Sequence, residues 1–371
     1  MIVQFGTSRF LQAHVDLFAW EASLAGQDVP PITIVQVSDD AGRAGRLKAF
    51  DDPEGFPVLI RGLEHGVPIE RQTQVRSVKR GLPAGRDWNL LCTLFVDHAA
   101  YVVSNSGDAG YEIPDGDRTR RVDRSPTSFC AILLELLHRR WAVRAPGVTI
   151  LPCELVAANG ATLRAKLLGL ARDQGLESDF LAWLESDCLW VNTLVDRIVS
   201  APLEPAGAVA EPYALWAIED QPGLRMPFAH PSIAIVENLE RHERLKLHIL
   251  NLGHSWLAEE WDSVGADPAA TVRGMLDDPR SADRLRRLFE EEVVPGFAVM
   301  GWAQQARDYV ARTLERFANP YLEHRLADIH GHHPIKVAKR IAAFVDWVDG
   351  RGGDVPMPEL RALARRYEEM H

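Results

Sequence analysis

The chain has 371 residues, 46% of them hydrophobic and 25% charged, which fits a soluble globular protein of about two domains and excludes a disordered or fibrous chain. A net charge of −11 argues against a nucleic-acid partner, which asks for a basic face. No apolar run approaches the ~20 residues of a membrane span, so no membrane partner is expected.

The IVQF run at 2–5 enters a strand at once, without the basic region and apolar core of a signal peptide, and Gly6 ends it. Residues 9–24 then carry Phe10, Leu11, Val15, Phe18 and Ala19 on a helical repeat, and ITIVQV at 32–37 is a second β-branched run. Strand, turn, helix and strand at this length make one βαβ unit. Further strand-like runs are FPVLIRGL (56–63), AAYVVSNS (99–106) and GVTILPCEL (147–155), with an amphipathic helix predicted over 128–141. The alternation predicts a largely parallel sheet with helices on both faces. After about residue 238 the pattern turns helical, over 239–262, 281–292, 302–317, 335–348 and 358–370, with Pro and Gly breaks between. The fold expected is therefore α/β: a Rossmann-type dinucleotide-binding domain over 1–237, then a mainly α-helical substrate domain over 238–371. Cys92, Cys130, Cys153 and Cys188 form no CxxC pair, so the reading is of reduced thiols in a cytoplasmic protein.

VQFGTSRFLQAH puts Gly6 where a Rossmann unit meets a pyrophosphate through backbone N–H groups and a helix dipole. The GxGxxG spacing is not met, because Ser8 and Leu11 stand where glycines would. An ordinary βα turn therefore competes with a dinucleotide site. At the end of the second strand, in SDDAGRAGR, Asp39 is the acid placed to bond the ribose hydroxyls of NAD. Arg43 and Arg46 are of the type that accepts a 2′-phosphate. The expectation is NAD with NADP left open, and a solvated loop is the plain alternative.

RLKLHILNLGHSWLAEEW, residues 244–261, is apolar all round as a helix, yet it carries Lys246, Asn251 and His254. At 100° per residue from Lys246, His254 falls at about 80° and Asn251 at about 140°, so all three share one side. An amine among apolar groups loses basicity and becomes a general base near neutral pH. An amide N–H can hold a developing alkoxide, and an imidazole can orient a hydroxyl. The set suits alcohol oxidation. A partly buried helix with polar residues bridging to neighbours competes with it. No tyrosine has a lysine four residues on, so the short-chain YxxxK pair is absent. HGHH at 330–333 lacks the ligand spacing of a zinc site, and no metal is expected.

Seven stretches in order resemble the long-chain polyol dehydrogenases, the mannitol dehydrogenase family that includes fructuronate and tagaturonate reductases. They are IVQFGTSRFLQAHVD, VVSNSGDAGY, ILPCELVAANG, WVNTLVDRIV, WAIED, KLHILNLGH and RFANPYLEHRLADI. The resemblance implies a Rossmann half, a helical half and a cleft between them. Carried onto this sequence, it implies Lys246 as general acid/base, Asn251 and Asn192 as oxyanion donors and His254 as a contact to a substrate hydroxyl. Asp220 would lie beside the site, with Arg325 and Lys336 toward the far end of the substrate. Gly6, Thr7, Ser8, Arg9 and Phe10 would form the phosphate turn, with Asn105 near the cofactor. It departs from the family at Ser8, usually glycine, and at Gln12, usually arginine.

The activity implied is reversible, metal-independent, NAD(H)-dependent interconversion of a sugar alcohol or aldonate with its ketose or keto-uronate. GFPVLIRGLEHG and VVSNSGDAGY resemble the tagaturonate reductase branch more than the mannitol 2-dehydrogenase branch. The partner expected is a small sugar alcohol, ketose or sugar acid. Two alternatives are a phosphate-ester dehydrogenase, for which no basic cluster is evident, and a dinucleotide sensor without chemistry, which has no need of a base.

Overall fold

The computed structural model describes residues 1–368 apart from Asp39, Ala41, Arg43, Asp108 and Ala109. In chain order its strands are β1 (Ile2–Phe5), β2 (Ile32–Gln36), β3 (Phe56–Glu64), β4 (Val67–Val75), β5 (Val78–Pro83), β6 (Tyr101–Ser104), β7 (Thr149–Pro152), β8 (Leu189–Trp190), β9 (Thr193–Asp196), β10 (Val199–Pro202), β11 (Ala208–Ala210), β12 (Leu215–Glu219) and β13 (Ile233–Val236). The chain groups into two units: residues 1–60 with 71–239, and residues 61–70 with 240–371.

In the first unit a parallel sheet runs β5-β2-β1-β6-β7-β8. Every residue of β1 and β2 is buried, including Gln4, Thr33 and Gln36. Their unbroken burial is what a parallel strand covered on both faces shows. The helix Phe129–Ala142 supplies much of the cover, with Phe129, Ile132, Leu133, Leu136 and Leu137 packed in the core with Val3, Phe5 and Ile150. The order turns outward on either side of β1, so a crevice opens beyond the carboxyl ends of β1 and β6.

Two expectations are corrected here. The run FPVLIRGL is a strand, but β3 joins a separate four-stranded sheet, β10-β11-β3-β4. Its alternation of buried Phe56, Val58 and Ile60 with half-exposed neighbours is the mark of a strand covered on one face. The β4 sequence VPIERQTQV is largely polar and exposed, which is why it gave no strand signal. Nor is 9–24 one helix. It breaks between Arg9–Gln12 and Val15–Leu24, where buried Arg197 donates to the Ala13 carbonyl at 2.6 Å and His14 Nε2 meets the Leu215 carbonyl at 3.1 Å.

The second unit is helical apart from the hairpin tip 61–70. Its helices are capped by side chains the sequence supplies, such as Thr271 accepting from the Gly274 N–H and Asp278 from Arg280 and Ser281 ahead of Pro279. Three of the long helical stretches change register partway. Residues Lys246–Asn251, Phe289–Val293 and Ala338–Ala342 are π-helical, with N–H groups reaching carbonyls five residues back: Leu252 to Leu247, Val294 to Phe289 and Ala343 to Ala338. The π turn Lys246–Asn251 packs against each of the other two. The helix predicted over 239–262 is therefore Glu240–Leu245, a π turn, then Leu252–Ser263. An angular count at 100° per residue does not hold through it. No described helix is long and apolar enough to cross a membrane.

Candidate functional site

In the first unit the crevice beyond β1 and β6 is a cavity of about 530 Å³, lined by Gly6, Thr7, Ser8, Ser38, Arg46 and Asn105 among others. That volume is in the range of small-molecule and cofactor pockets. Gly6 sits at φ 113°, and a Cβ there would lie 2.4 Å from the Asn105 carbonyl oxygen. Only glycine lets the turn pass that close to the next strand's end. Ser8, standing in a glycine position, is the N-cap of the short helix that follows, its Oγ accepting from the Leu11 N–H at 3.2 Å. Arg46, on the short helix Ala44–Ala49, donates from Nη1 to the Thr7 carbonyl at 3.0 Å, tying that helix to the turn.

The opposite wall is fastened by one buried acid. Glu154 accepts from Ser104 Oγ, Ser106 N–H, Ser106 Oγ and Tyr111 OH at 2.9–3.1 Å. Asn105 Nδ2 donates to the Cys153 carbonyl at 2.8 Å. The loop carrying Asn105 is thus held to the end of β7 by the PCEL segment. A turn that admits no Cβ at Gly6, facing a wall of polar groups fixed by Glu154, fits a dinucleotide.

Of the residues expected there, Gly6, Thr7, Ser8 and Asn105 line the cavity. Arg9 does not. Its guanidinium donates to the Leu203 and Gly207 carbonyls and pairs with Glu204 at 2.6 Å, so it braces the β10–β11 hairpin. Phe10 stacks on His14 with centroids 4.7 Å apart. Asp39 and Arg43 lie outside the described residues.

Asn192 follows β8. Its Nδ2 donates to Glu219 Oε2 at 2.6 Å and its Oδ1 accepts from the Ala161 N–H at 3.0 Å. An amide nitrogen has two hydrogens, so one is left for a ligand. Gly160 makes the helix start at 159 fit here, since a Cβ would meet the Val191 carbonyl oxygen at 2.4 Å. Asn159 knits the corner together by donating to Pro152, Glu154 and Thr193 carbonyls. Asp220, the acid expected beside the site, is exposed. The carboxylate that meets Asn192 belongs to its neighbour Glu219.

In the second unit the π turn carries Lys246 at its start and Asn251 at its end, both half-buried. A five-residue turn returns the chain to the same face, which brings these two side chains nearer in azimuth than an α-helix would. His254 is buried against Phe317 and His324, ring centroids 4.5 and 4.7 Å away, and its Nε2 has no partner among the described residues. Burial drives its imidazole well below the usual value, and His324, Arg316, Arg340 and Lys336 push the same way. It is neutral at pH 7. Lys336 Nζ donates to the Ile329 carbonyl at 2.7 Å, and burial followed by Arg340 lowers its pKa. Arg325 is exposed and pairs with Asp328 at 3.2 Å.

The sequence reading missed His248, His324, Arg340 and Glu219. His248 is fully buried within the π turn. A histidine in an apolar stretch gives no signal beyond its cost, and Arg340 is remote in sequence. Among the described residues no three His, Cys, Asp or Glu are grouped to hold a metal ion.

The profile of the mannitol dehydrogenase Rossmann domain matches residues 1–228, and that of the mannitol dehydrogenase C-terminal domain matches 238–360. The altronate oxidoreductase of Halalkalibacterium halodurans is 28% identical over 98% of this chain and 73% of its own length. That of Bacillus subtilis is 28% identical over 88% and 71%. Among solved structures, a D-sorbitol dehydrogenase in substrate-free form superposes with a TM-score of 0.78 at 20% identity, covering 95% of this chain and 77% of that one. The Pseudomonas fluorescens mannitol 2-dehydrogenase ternary complex with NAD and D-mannitol gives a TM-score of 0.72 at 18% identity, covering 99% and 78%. The two structures establish a shared fold.

Proposed function

Because the chain belongs to the mannitol dehydrogenase family, whose members oxidise CH–OH groups with NAD, we propose that this enzyme works on a sugar acid, an aldonate and its keto-uronate of the altronate–tagaturonate kind. The observation that carries this reading is the field at His254. Four neighbouring basic groups, His324, Arg316, Arg340 and Lys336, all act to keep it neutral. Burial lowers the basicity of His324 as well, so the cations there are Arg316, Arg340 and Lys336, and three of them suit a carboxylate better than a neutral polyol. Lys336 is the cation we assign to that carboxylate. Membership of the family sets aside the sensor without chemistry.

Bound in the first unit's cavity, the nicotinamide supplies the two-electron acceptor for alcohol oxidation. The rest belongs to this chain's side chains. Lys246 takes the hydroxyl proton onto its amine as carbon loses its hydrogen with two electrons, and returns that proton in ketone reduction. Asn251 and Asn192 donate amide N–H groups to the developing oxyanion. His254, neutral and with a buried Nε2 that has no partner among the described residues, is the group we assign to a substrate hydroxyl.

A spectrophotometric screen tests this. NADH and NADPH are offered separately with tagaturonate, fructuronate, fructose, xylulose and ribulose, and the oxidised cofactors with the matching aldonates and polyols. A keto-uronate reduced with NADH, well ahead of any neutral ketose, is the expected result. A neutral ketose in front would overturn the sugar-acid assignment. Lys336→Met should slow the keto-uronate more than the neutral ketoses, and an equal effect on both removes Lys336 from that role.

A further inference from the structure

Two of the three π turns are locked to each other by a reciprocal pair. Arg340, inside the π turn Ala338–Ala342, sends Nη1 to the Asn251 carbonyl at 3.3 Å and to Ser255 Oγ at 3.0 Å. Asn251 closes the π turn that begins at Lys246. In return His248, midway along that turn, meets the carbonyl of Arg340 itself through Nδ1 at 3.0 Å. A carbonyl only accepts, so Nδ1 carries the hydrogen. Arg244 stands 3.4 Å from Nε2 and only donates, so Nε2 is the acceptor. One neutral tautomer satisfies both ends. The ring is walled by Phe344 and Trp347, at 5.2 and 6.3 Å, and is fully buried.

A π turn is a strained insertion that needs outside support to persist. Here support comes from a guanidinium at the end of the turn and an imidazole in its middle. Both act on the six residues that begin with Lys246 and finish with Asn251. We propose that Arg340 and His248 are positioning residues for the dehydrogenase reaction, holding the π register that sets Lys246 and Asn251 relative to each other. This rests on the reading of Lys246 and Asn251 as acid/base and oxyanion donor.

The test uses full-length protein with the best substrate of the screen. Arg340→Met lowers kcat about 10-fold to 100-fold, the scale of a misplacement near 1 Å, with KM little changed. NADH affinity, read by fluorescence titration, stays at the wild-type value. Arg340→Ala regains kcat several-fold in millimolar guanidinium chloride, and Arg340→Lys falls between the two. His248→Asn, which keeps a donor near Nδ1, retains more kcat than His248→Phe. A fold-support role would lower the unfolding midpoint and leave the folded fraction at wild-type kcat, which overturns the proposal. A rise in KM alone would make Arg340 a substrate contact and also overturns it. If wild-type protein turns over no member of the panel, the substrate reading has failed. Amide exchange across 247–252 then decides the positioning role. Exchange about 10-fold faster in Arg340→Met and slowed again by guanidinium supports it, and unchanged exchange removes it.

Discussion

Asn192 and Glu219 are joined twice: the Asn192 side-chain amide donates to the Glu219 carboxylate at 2.6 Å, and the Glu219 N–H donates to the Asn192 carbonyl at 3.0 Å. A charge-assisted bond at one end and a backbone bond at the other leave the amide little freedom to turn. Asn192→Ala should lower kcat about 100-fold, as loss of an oxyanion donor does. Glu219→Gln keeps the shape and loses the charge, and about a tenfold loss is expected. Steady-state kinetics with NADH titration checks both. If either variant weakens cofactor binding while sparing turnover, the oxyanion role is wrong.

Lys246→Ala should lower turnover by about 100-fold or more with NADH affinity nearly intact, the usual worth of general acid–base catalysis. Asn251→Ala should cost a similar factor through the oxyanion. The measurement is kcat in both directions alongside NADH titration of the same preparations. Wild-type turnover in Lys246→Ala would end the assignment.

The phosphate turn makes opposite demands at its two small residues. Gly6→Ala places a Cβ against the Asn105 carbonyl at a positive φ, so strain of about 1–3 kcal/mol and a clear loss of NADH affinity are expected. Ser8→Ala removes an N-cap and should destabilise by about 1 kcal/mol, whereas Ser8→Gly should cost only a few tenths. Urea unfolding and NADH titration separate the effects. A large gain in NADH affinity for Ser8→Gly would show that the serine obstructs the turn.

Stability should fall in acid partly through His248. Burial pushes its pKa from the usual 6.5 down to about 4, the bond to the Arg340 carbonyl opposing this and Arg244 adding to it. Between those values the unfolded chain binds a proton that the folded one refuses. The contribution is therefore complete above about pH 6.5 and is lost as pH falls toward about 4, worth up to about 3 kcal/mol. Urea unfolding from about pH 7.5 to about pH 4.5 should show a shallower decline in His248→Asn than in wild type. Parallel curves would mean that His248 does not titrate in the transition.

The sequence was most readable where one local rule decides the structure. Gly6 after IVQF, with a helix start behind it, marked the turn that lines the cavity. The switch from strand runs to helical repeats is read near residue 238, but nothing in FPVLIRGLEHG announces that residues 61–70 group with the helical unit. Legibility failed where the cause is far away. Arg9 follows the turn, yet partners almost 200 residues on draw it away from the cavity. Asp220 and Glu219 are adjacent, and only the strand's facing decides which one meets Asn192. The π turns left no trace, because KLHILN is ordinary helical sequence. What makes it a π turn lies in Arg340 and its neighbours.

The hairpin tip has a consequence for anyone cutting this chain. Arg61 lies over the ring of Tyr321 at 5.0 Å, and the Gly66 N–H donates to Glu315 at 2.6 Å. The helical unit is therefore sewn from two separated stretches of chain. A gene fragment starting at residue 240 would encode a body with one face stripped, and a fragment ending at 239 would leave the loose tip without its seat. On the ribosome, residues 61–70 emerge early and wait for most of the remaining chain before their partners exist. Expression of either half alone should give a poorly folded product, while co-expression with the missing stretch restored should recover it.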